Sequence, residues 1–323
     1  MSNKTIFGGK METIERFRGA LLGLACGDAV GTTVEFMPRG TFPPVTDIVG
    51  GGPFQLNPGE WTDDTSMALC LAESLVECNG FDAADQMRRY VKWLDEGYWS
   101  SNGHCFDIGG TTHDALSNFK RTGKPFSGST HTQSAGNGCI MRLAPVPMFF
   151  YPDQDAAIEM SGESSRTTHG AAECIEASRL LAAMLFKALD GANKEEILLG
   201  HSLSGFASRG IQAIVQGDYR AKSEDVIFGI GYVVSSLEAA LWCFYHTDNF
   251  KDAILRATNL GKDADTTAAI CGQIAGAFYG ESGIPESWRN KLAMHDEICL
   301  LADQLFQHNL GATQENSKGS GSD

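Results

Sequence analysis

Two short acidic stretches carry the side chains best suited to chemistry. Trp61-Thr62-Asp63-Asp64-Thr65 precedes an apolar helical run at 67–77, and Gly261-Lys262-Asp263-Ala264-Asp265-Thr266-Thr267 precedes an Ala-rich run at 268–279. Either stretch alone has an ordinary explanation, because Thr and Asp are favoured helix N-caps and carboxylates suit the positive end of a helix dipole. One cap needs one side chain, however, and each stretch offers two Asp with flanking Thr. If the two helix starts converge, four carboxylates meet and repel one another unless cations neutralise them. Ligand sets made of oxygen, without His or Cys, select hard ions such as Mg2+, Mn2+ or Ca2+. Carboxylates that can be shared suit a pair of metals.

The elements that would position these stretches read as helices. Ile14, Phe17, Leu21, Leu22 and Leu24 recur at helical spacing, as do Met67, Leu71, Leu75 and Val76, and then Met87, Tyr90, Val91 and Leu94. Ala171–Leu189 and Val233–Tyr245 follow the same period, and Asp265–Tyr279, rich in Ala and Gly, predicts a close-packed central helix. Alternating β-branched stretches are few, which disfavours a sheet. The expected fold is all-α: one compact helical domain over 11–312, with a flexible arm at 1–10 closed by Gly8-Gly9 and a disordered Ser-, Gly- and Asn-rich tail at 313–323. Many of the 37 glycines fall in expected connections such as Gly50-Gly51-Gly52, Gly109-Gly110 and Gly136-Asn137-Gly138, where the backbone turns sharply or approaches a ligand.

Composition removes several function classes. A formal charge of −15 over 323 residues is the wrong sign for a reader of nucleic-acid backbone. Nine cysteines without a Cys-x-x-Cys pair resemble neither a zinc site nor a disulfide framework, and Cys26, Cys70 and Cys271 sit among small apolar residues as core positions do. The first ten residues lack the apolar centre of a secretory signal, and no run approaches the roughly 20 apolar residues of a membrane helix. A cytoplasmic protein with no membrane partner is expected.

Motifs through most of the chain, from about Phe17 to Tyr279, resemble the ADP-ribosylglycohydrolase family, in particular its bacterial dinitrogenase-reductase-activating branch. In family order they are Phe17–Gly31 with Glu35-Phe36, Trp61–Thr65, Phe106-Asp107-Ile108-Gly109, Gly136-Asn137-Gly138 ending in Met141-Arg142, Thr168-His169, Gly231–Val234, and Asp263–Thr267. The resemblance implies a loop-lined cleft with a dinuclear Mg2+ or Mn2+ centre held by Thr62, Asp63, Asp64, Asp263, Asp265 and Thr266. It implies hydrolysis of an ADP-ribosyl bond at the anomeric carbon.

That reaction needs a held ribose, a poised water and stabilisation of an oxocarbenium-like transition state. Metal ions bind ribose hydroxyls and lower the pKa of water, while nearby carboxylates move its proton. Glu35, expected after a glycine-rich turn at Gly27–Gly31, and Asp64 are the acid–base candidates. Gly136-Asn137-Gly138 resembles the loop beside the ADP-ribose diphosphate, where Asn137 and Gly138 would contact the ligand. His169 is a candidate hydrogen-bonding partner for ribose or phosphate, and Tyr232 a candidate packing partner for adenine or ribose, although core roles suit both residue types. Asp107 is the natural partner of a cationic guanidinium, and Phe106-Asp107-Ile108-Gly109 resembles the arginine-directed branch, so the resemblance implies ADP-ribosyl-arginine on a protein as the substrate. Other acceptors, such as serine or a nucleotide base, stay open. So does an immunity or binding role in which the arm, through Phe7, contacts an ADP-ribosyltransferase toxin.

Overall fold

Apolar residues recurring every three or four positions give helices, and the computed structural model shows how these converge. It describes the backbone of residues 5–319 and the side chains of residues 13–308. The helices are α1 (Thr5–Gly31), α2 (Asp63–Cys78), α3 (Ala83–Glu96), α4 (Gly110–Thr122), α5 (Pro145–Phe150), α6 (Gln154–Thr168) and α7 (Ala172–Leu189). After these come α8 (Lys194–Leu199), α9 (Arg209–Gln216), α10 (Val233–Tyr245), α11 (Phe250–Asn259), α12 (Ala264–Tyr279), α13 (Glu286–Arg289) and α14 (His295–Gly319). No strand occurs among the described residues, and isolated backbone bridges such as Gly136 with Tyr232 tie loops together. The all-α expectation holds, and α12 is the central helix it was read to be, buried from Ala264 through Ala277.

The centre of the fold is a backbone-to-backbone contact between α1 and α12. Gly19, Gly23 and Gly27, spaced by four, face Gly276, Gly272 and Ala268. A Cβ on Gly23 would stand 2.3 Å from the carbonyl oxygen of Gly272, and one on Gly272 would stand 2.0 Å from that of Gly23. Gly31 continues the stripe, where an added Cβ would meet the Asp265 Cα at 2.4 Å. The last turn of α1 therefore lies against the first turn of α12, which brings Asp28 beside the second acidic stretch. Here the expectation of a turn at Gly27–Gly31 is corrected, since these residues belong to α1. Close helix contact outweighs the roughly 1 kcal/mol that each helical glycine costs relative to alanine.

Helix α14 is strapped onto α1 by Arg18, whose Nε and Nη2 each donate to the Asp303 carboxylate at 2.7 Å. α1 begins at Thr5 and runs through Gly8-Gly9, and α14 runs to Gly319 through most of the expected tail. Neither segment contains proline to interrupt a growing helix. Residues 1–4 and 320–323 lie outside the described residues, as does the Phe7 side chain. None of the described helices is long and apolar enough to cross a membrane. Cys26, Cys70 and Cys271 are buried and free, as core cysteines.

Candidate active site

The two acidic helix starts converge. Thr62 Oγ1, at the start of α2, lies 3.4 Å from Asp64 Oδ2 and 3.4 Å from Asp265 Oδ2, and Thr266 Oγ1 of α12 lies 3.4 Å from the same Asp64 oxygen. Carboxylate oxygens of Asp28, Asp64 and Asp265 fall within 4.8 Å of one another, and so do those of Glu35, Asp107 and Asp265. Asp265 belongs to both groups. Asp263 is held from the opposite side, where Asn137 Nδ2 donates to its Oδ2 at 2.5 Å and to Ser236 Oγ at 3.1 Å.

Asp28 stands apart from its neighbours because its carboxylate is fully engaged. It accepts the backbone N–H of Thr62 and Thr65 at 2.9 and 3.0 Å and their hydroxyls at 2.8 and 2.6 Å. One wholly buried side chain of α1 thus caps the first turn of α2 and orients Thr62. By contrast Glu35 Oε2, Asp64 Oδ1 and Asp265 Oδ1 are buried with no hydrogen-bond partner.

Burial and mutual repulsion push these carboxyls up. Glu35 rises to about 10, through burial first and then the charges of Asp107 and Asp263. Asp107 rises to about 7, chiefly by burial. Burial followed by neighbouring carboxylates raises Asp63, Asp64 and Asp265 well above the usual range. Buried ionised groups need a hydrogen bond or a metal. Partnerless oxygens in a buried, all-oxygen donor set fit a hard divalent cation.

A cavity of about 280 Å3 opens on this set, with Glu35, Asp63, Asp107, Asp263, Asp265 and Thr266 in its wall. Thr62 and Asp64, wholly buried, stand behind that wall. The rest of the wall is formed by Phe36, Gly109 to Thr112, Gly136 to Gly138, Met141, His169 and Gly231. Helix α4 starts there with Gly109 as a cap that offers no side chain, so its first-turn N–H groups at the cavity have no side-chain acceptor. The Gly136 loop is held by Asn137 N–H donating to Gly231 O at 3.1 Å and Val233 N–H donating to Ala135 O at 3.0 Å. A Cβ on Gly138 would stand 2.6 Å from His169 Cε1, so the glycine makes room for the imidazole.

His169 is buried within a polar chain. Arg142 Nη2 donates to Thr168 Oγ1 at 2.6 Å, and that hydroxyl lies 2.8 Å from His169 Nδ1. The Nε2 edge of the ring lies beside Gly136 and Gly138. Burial and the nearby Arg142 charge hold this histidine down at about 3, so it is neutral at pH 7. Arg142, itself buried, rests over the Tyr90 ring at 4.6 Å.

A family model for ADP-ribosylglycohydrolases matches residues 10–315. The chain belongs to the ADP-ribosylglycohydrolase family. It is 48% identical over 295 residues to the ADP-ribosylarginine hydrolase Tri1 of Pseudomonas putida (strain GB-1), covering 91% of this chain and 79% of that protein. It is 31% identical over 306 residues to the ADP-ribosyl-[dinitrogen reductase] glycohydrolase of Rhodospirillum rubrum, covering 90% and 96%. A solved structure described as an ADP-ribosylglycohydrolase-related protein complex superposes with a TM-score of 0.80 at 42% identity, covering 92% of this chain and 99% of the other. The protein is thus a glycohydrolase with an acidic, metal-competent centre.

Within this ADP-ribosylglycohydrolase the candidate residues converge, with one exception. Tyr232 is 39% exposed, does not line the cavity, and donates its hydroxyl to Glu173 Oε2 at 2.8 Å on the rim beside Gly231. Sequence reasoning gave no role to Asp28, to the open start of α4 or to Phe36. For α4 the signal was present as Gly109-Gly110 followed by Thr111-Thr112. Phe36 lines the cavity at 63% exposure. Both Phe36 and Asp107 hold positive φ, 64° and 61°. That conformation costs a non-glycine residue roughly 1–2 kcal/mol. At Phe36 it is maintained by its N–H donating to Lys262 O at 2.6 Å and by Lys262 N–H donating to Met37 O at 2.7 Å.

Proposed function

We propose that this glycohydrolase removes ADP-ribose from arginine side chains of modified proteins, with two Mg2+ or Mn2+ ions held by Thr62, Asp63, Asp64, Asp263, Asp265 and Thr266. The observation that carries it is the pairing of walls: partnerless buried carboxylates on one side of the cavity, N–H donors and a neutral histidine on the other. The relative from Pseudomonas putida, named for ADP-ribosylarginine, supports arginine as acceptor. The metals, when bound, supply charge that orients ribose hydroxyls and acidifies water.

The chain's own groups do the remainder. The α4 start and the Gly136–Gly138 loop hold the diphosphate through backbone N–H groups, and His169 Nε2–H donates to a ribose or phosphate oxygen. Glu35, with an unpartnered Oε2 in the cavity wall, would be ionised once cation charge offsets the burial and repulsion that hold it at about 10; it then takes the proton of the attacking water and passes it to the leaving guanidine as the anomeric C–N bond breaks. Asp64, enclosed behind the wall, acts as a ligand more readily than as a proton carrier. Asp107 faces the cationic acceptor. Contact with a toxin through residues 1–10 is left outside this reading, because their side chains lie outside the described residues.

The test is release of free ADP-ribose from an arginine-ADP-ribosylated protein with Mg2+, with Mn2+ and with EDTA. Release is expected with either metal and not with EDTA. Glu35→Gln should keep Mn2+ binding and lower kcat by roughly 10²–10⁴. Full activity in Glu35→Gln, or release that ignores EDTA, would overturn the mechanism; cleavage of serine conjugates alone would overturn the acceptor.

A further inference from the structure

At the mouth of the cavity the neighbours of two acidic residues converge as the acids do. Glu35 and Asp107 bring carboxylate oxygens within 4.8 Å of each other. The residue after Glu35 is Phe36 and the residue before Asp107 is Phe106. Phe54 joins them, with ring centroids 6.4 Å from Phe36 and 5.1 Å from Phe106. Phe54 and Phe106 are half-buried, whereas Phe36 turns 63% of its surface to solvent while lining the cavity. An aromatic ring ordinarily gains by burial, and this one is held out by a left-handed backbone fastened at Lys262.

We propose that Phe36 is the platform on which the acceptor guanidinium of an ADP-ribosylated arginine stacks, with Phe54 and Phe106 bracing the ring. The inference rests on the arginine reading above and adds the residue that recognises the acceptor. A guanidinium is planar, always charged and weakly hydrated, so it lies well against an aromatic face. The same site offers it Asp107 as an in-plane partner. A serine acceptor has neither a plane nor a charge to place there. The platform therefore acts on one substrate class, and it touches only the leaving group. Free ADP-ribose, which lacks that group, should be indifferent to the ring.

The experiment compares wild type, Phe36→Leu and Phe36→Trp on an ADP-ribosyl-arginine peptide and on an ADP-ribosyl-serine peptide, with free ADP-ribose affinity measured by calorimetry in Mn2+. Leucine keeps apolar bulk and the same backbone but has no ring, and the exposed position should leave folding intact. Phe36→Leu should raise KM for the arginine peptide by about five- to tenfold, within the range of a partly exposed cation–π contact. Its affinity for ADP-ribose should stay at the wild-type value, and Phe36→Trp should keep or lower KM. An unchanged arginine KM in Phe36→Leu, or an equal loss for ADP-ribose, overturns the platform while leaving arginine hydrolysis by the wild type standing. A wild type that cleaves the serine peptide and not the arginine peptide overturns both readings.

Discussion

The two walls of the cavity use one backbone device in opposite ways. α2 and α12 present helix N-termini to the site, and so does α4. A helix start carries partial positive charge and unsatisfied N–H groups. At α2 and α12 that end is loaded with Asp63, Asp64 and Asp265, more carboxylate than a dipole can hold, and Asp28 takes over the capping of α2. At α4 glycine leaves the end bare. The overloaded ends therefore favour protons or cations, while the bare end favours an anion. A substrate with a ribose beside a diphosphate requires both conditions within one cavity.

The largest expected effect comes from removing the carboxylate common to both acidic groups. Asp265→Ala should abolish ADP-ribose release and Mn2+ binding by calorimetry. Mn2+ should raise the Tm of the wild type and leave that of the variant unchanged. A variant that keeps the Mn2+-dependent rise would break the assignment of the acidic wall to metal.

Asp28 sharpens the comparison by one step, because it serves the acidic wall without an orphaned oxygen of its own. Asp28→Asn keeps the shape and replaces one acceptor with a donor that faces the Thr62 or Thr65 N–H. The expected loss in Mn2+ affinity is roughly 10–100-fold, the usual scale for a residue that orients a ligand. At saturating Mn2+ kcat should largely recover. Failure to recover at any Mn2+ concentration would make Asp28 more than a positioning residue.

The acidic wall was legible in the sequence because its signal is local: Thr and Asp concentrated where a helical period begins. α10 was legible at both ends for the same reason, since its apolar residues keep a helical period from Val233 to Tyr245. What escaped depends on residues far apart in the chain. Gly27 and Gly31 read as a turn until Ala268 and Asp265 are placed against them. Asp28 is one Asp among glycines until Thr62 and Thr65 close on it. Tyr232 has the residue type for stacking, yet its direction is set by Glu173 on α7, which no spacing reveals.

The smallest effect separates the walls by the sign of their pH dependence. Without metal, Asp107 and Glu35 have folded values of about 7 and about 10, above their unfolded values near 4. The fold binds their protons more tightly than the unfolded chain does. Their contribution is present below about pH 4 and is lost as pH rises through those folded values. His169 runs the other way. Its folded value of about 3 lies below an unfolded value near 6.5, so its contribution is present above pH 6.5 and is lost as pH falls toward 3. Comparing wild type with His169→Gln by urea unfolding in EDTA cancels the acidic wall, which both proteins share. The stability advantage of the wild type should shrink by roughly 1–1.5 kcal/mol between pH 7.5 and pH 5.5, at about 1.4 kcal/mol per unit below the unfolded pKa. A constant difference across that interval would mean that His169 titrates in the folded protein as it does in water, and the neutral donor proposed for ribose or phosphate would be lost with it.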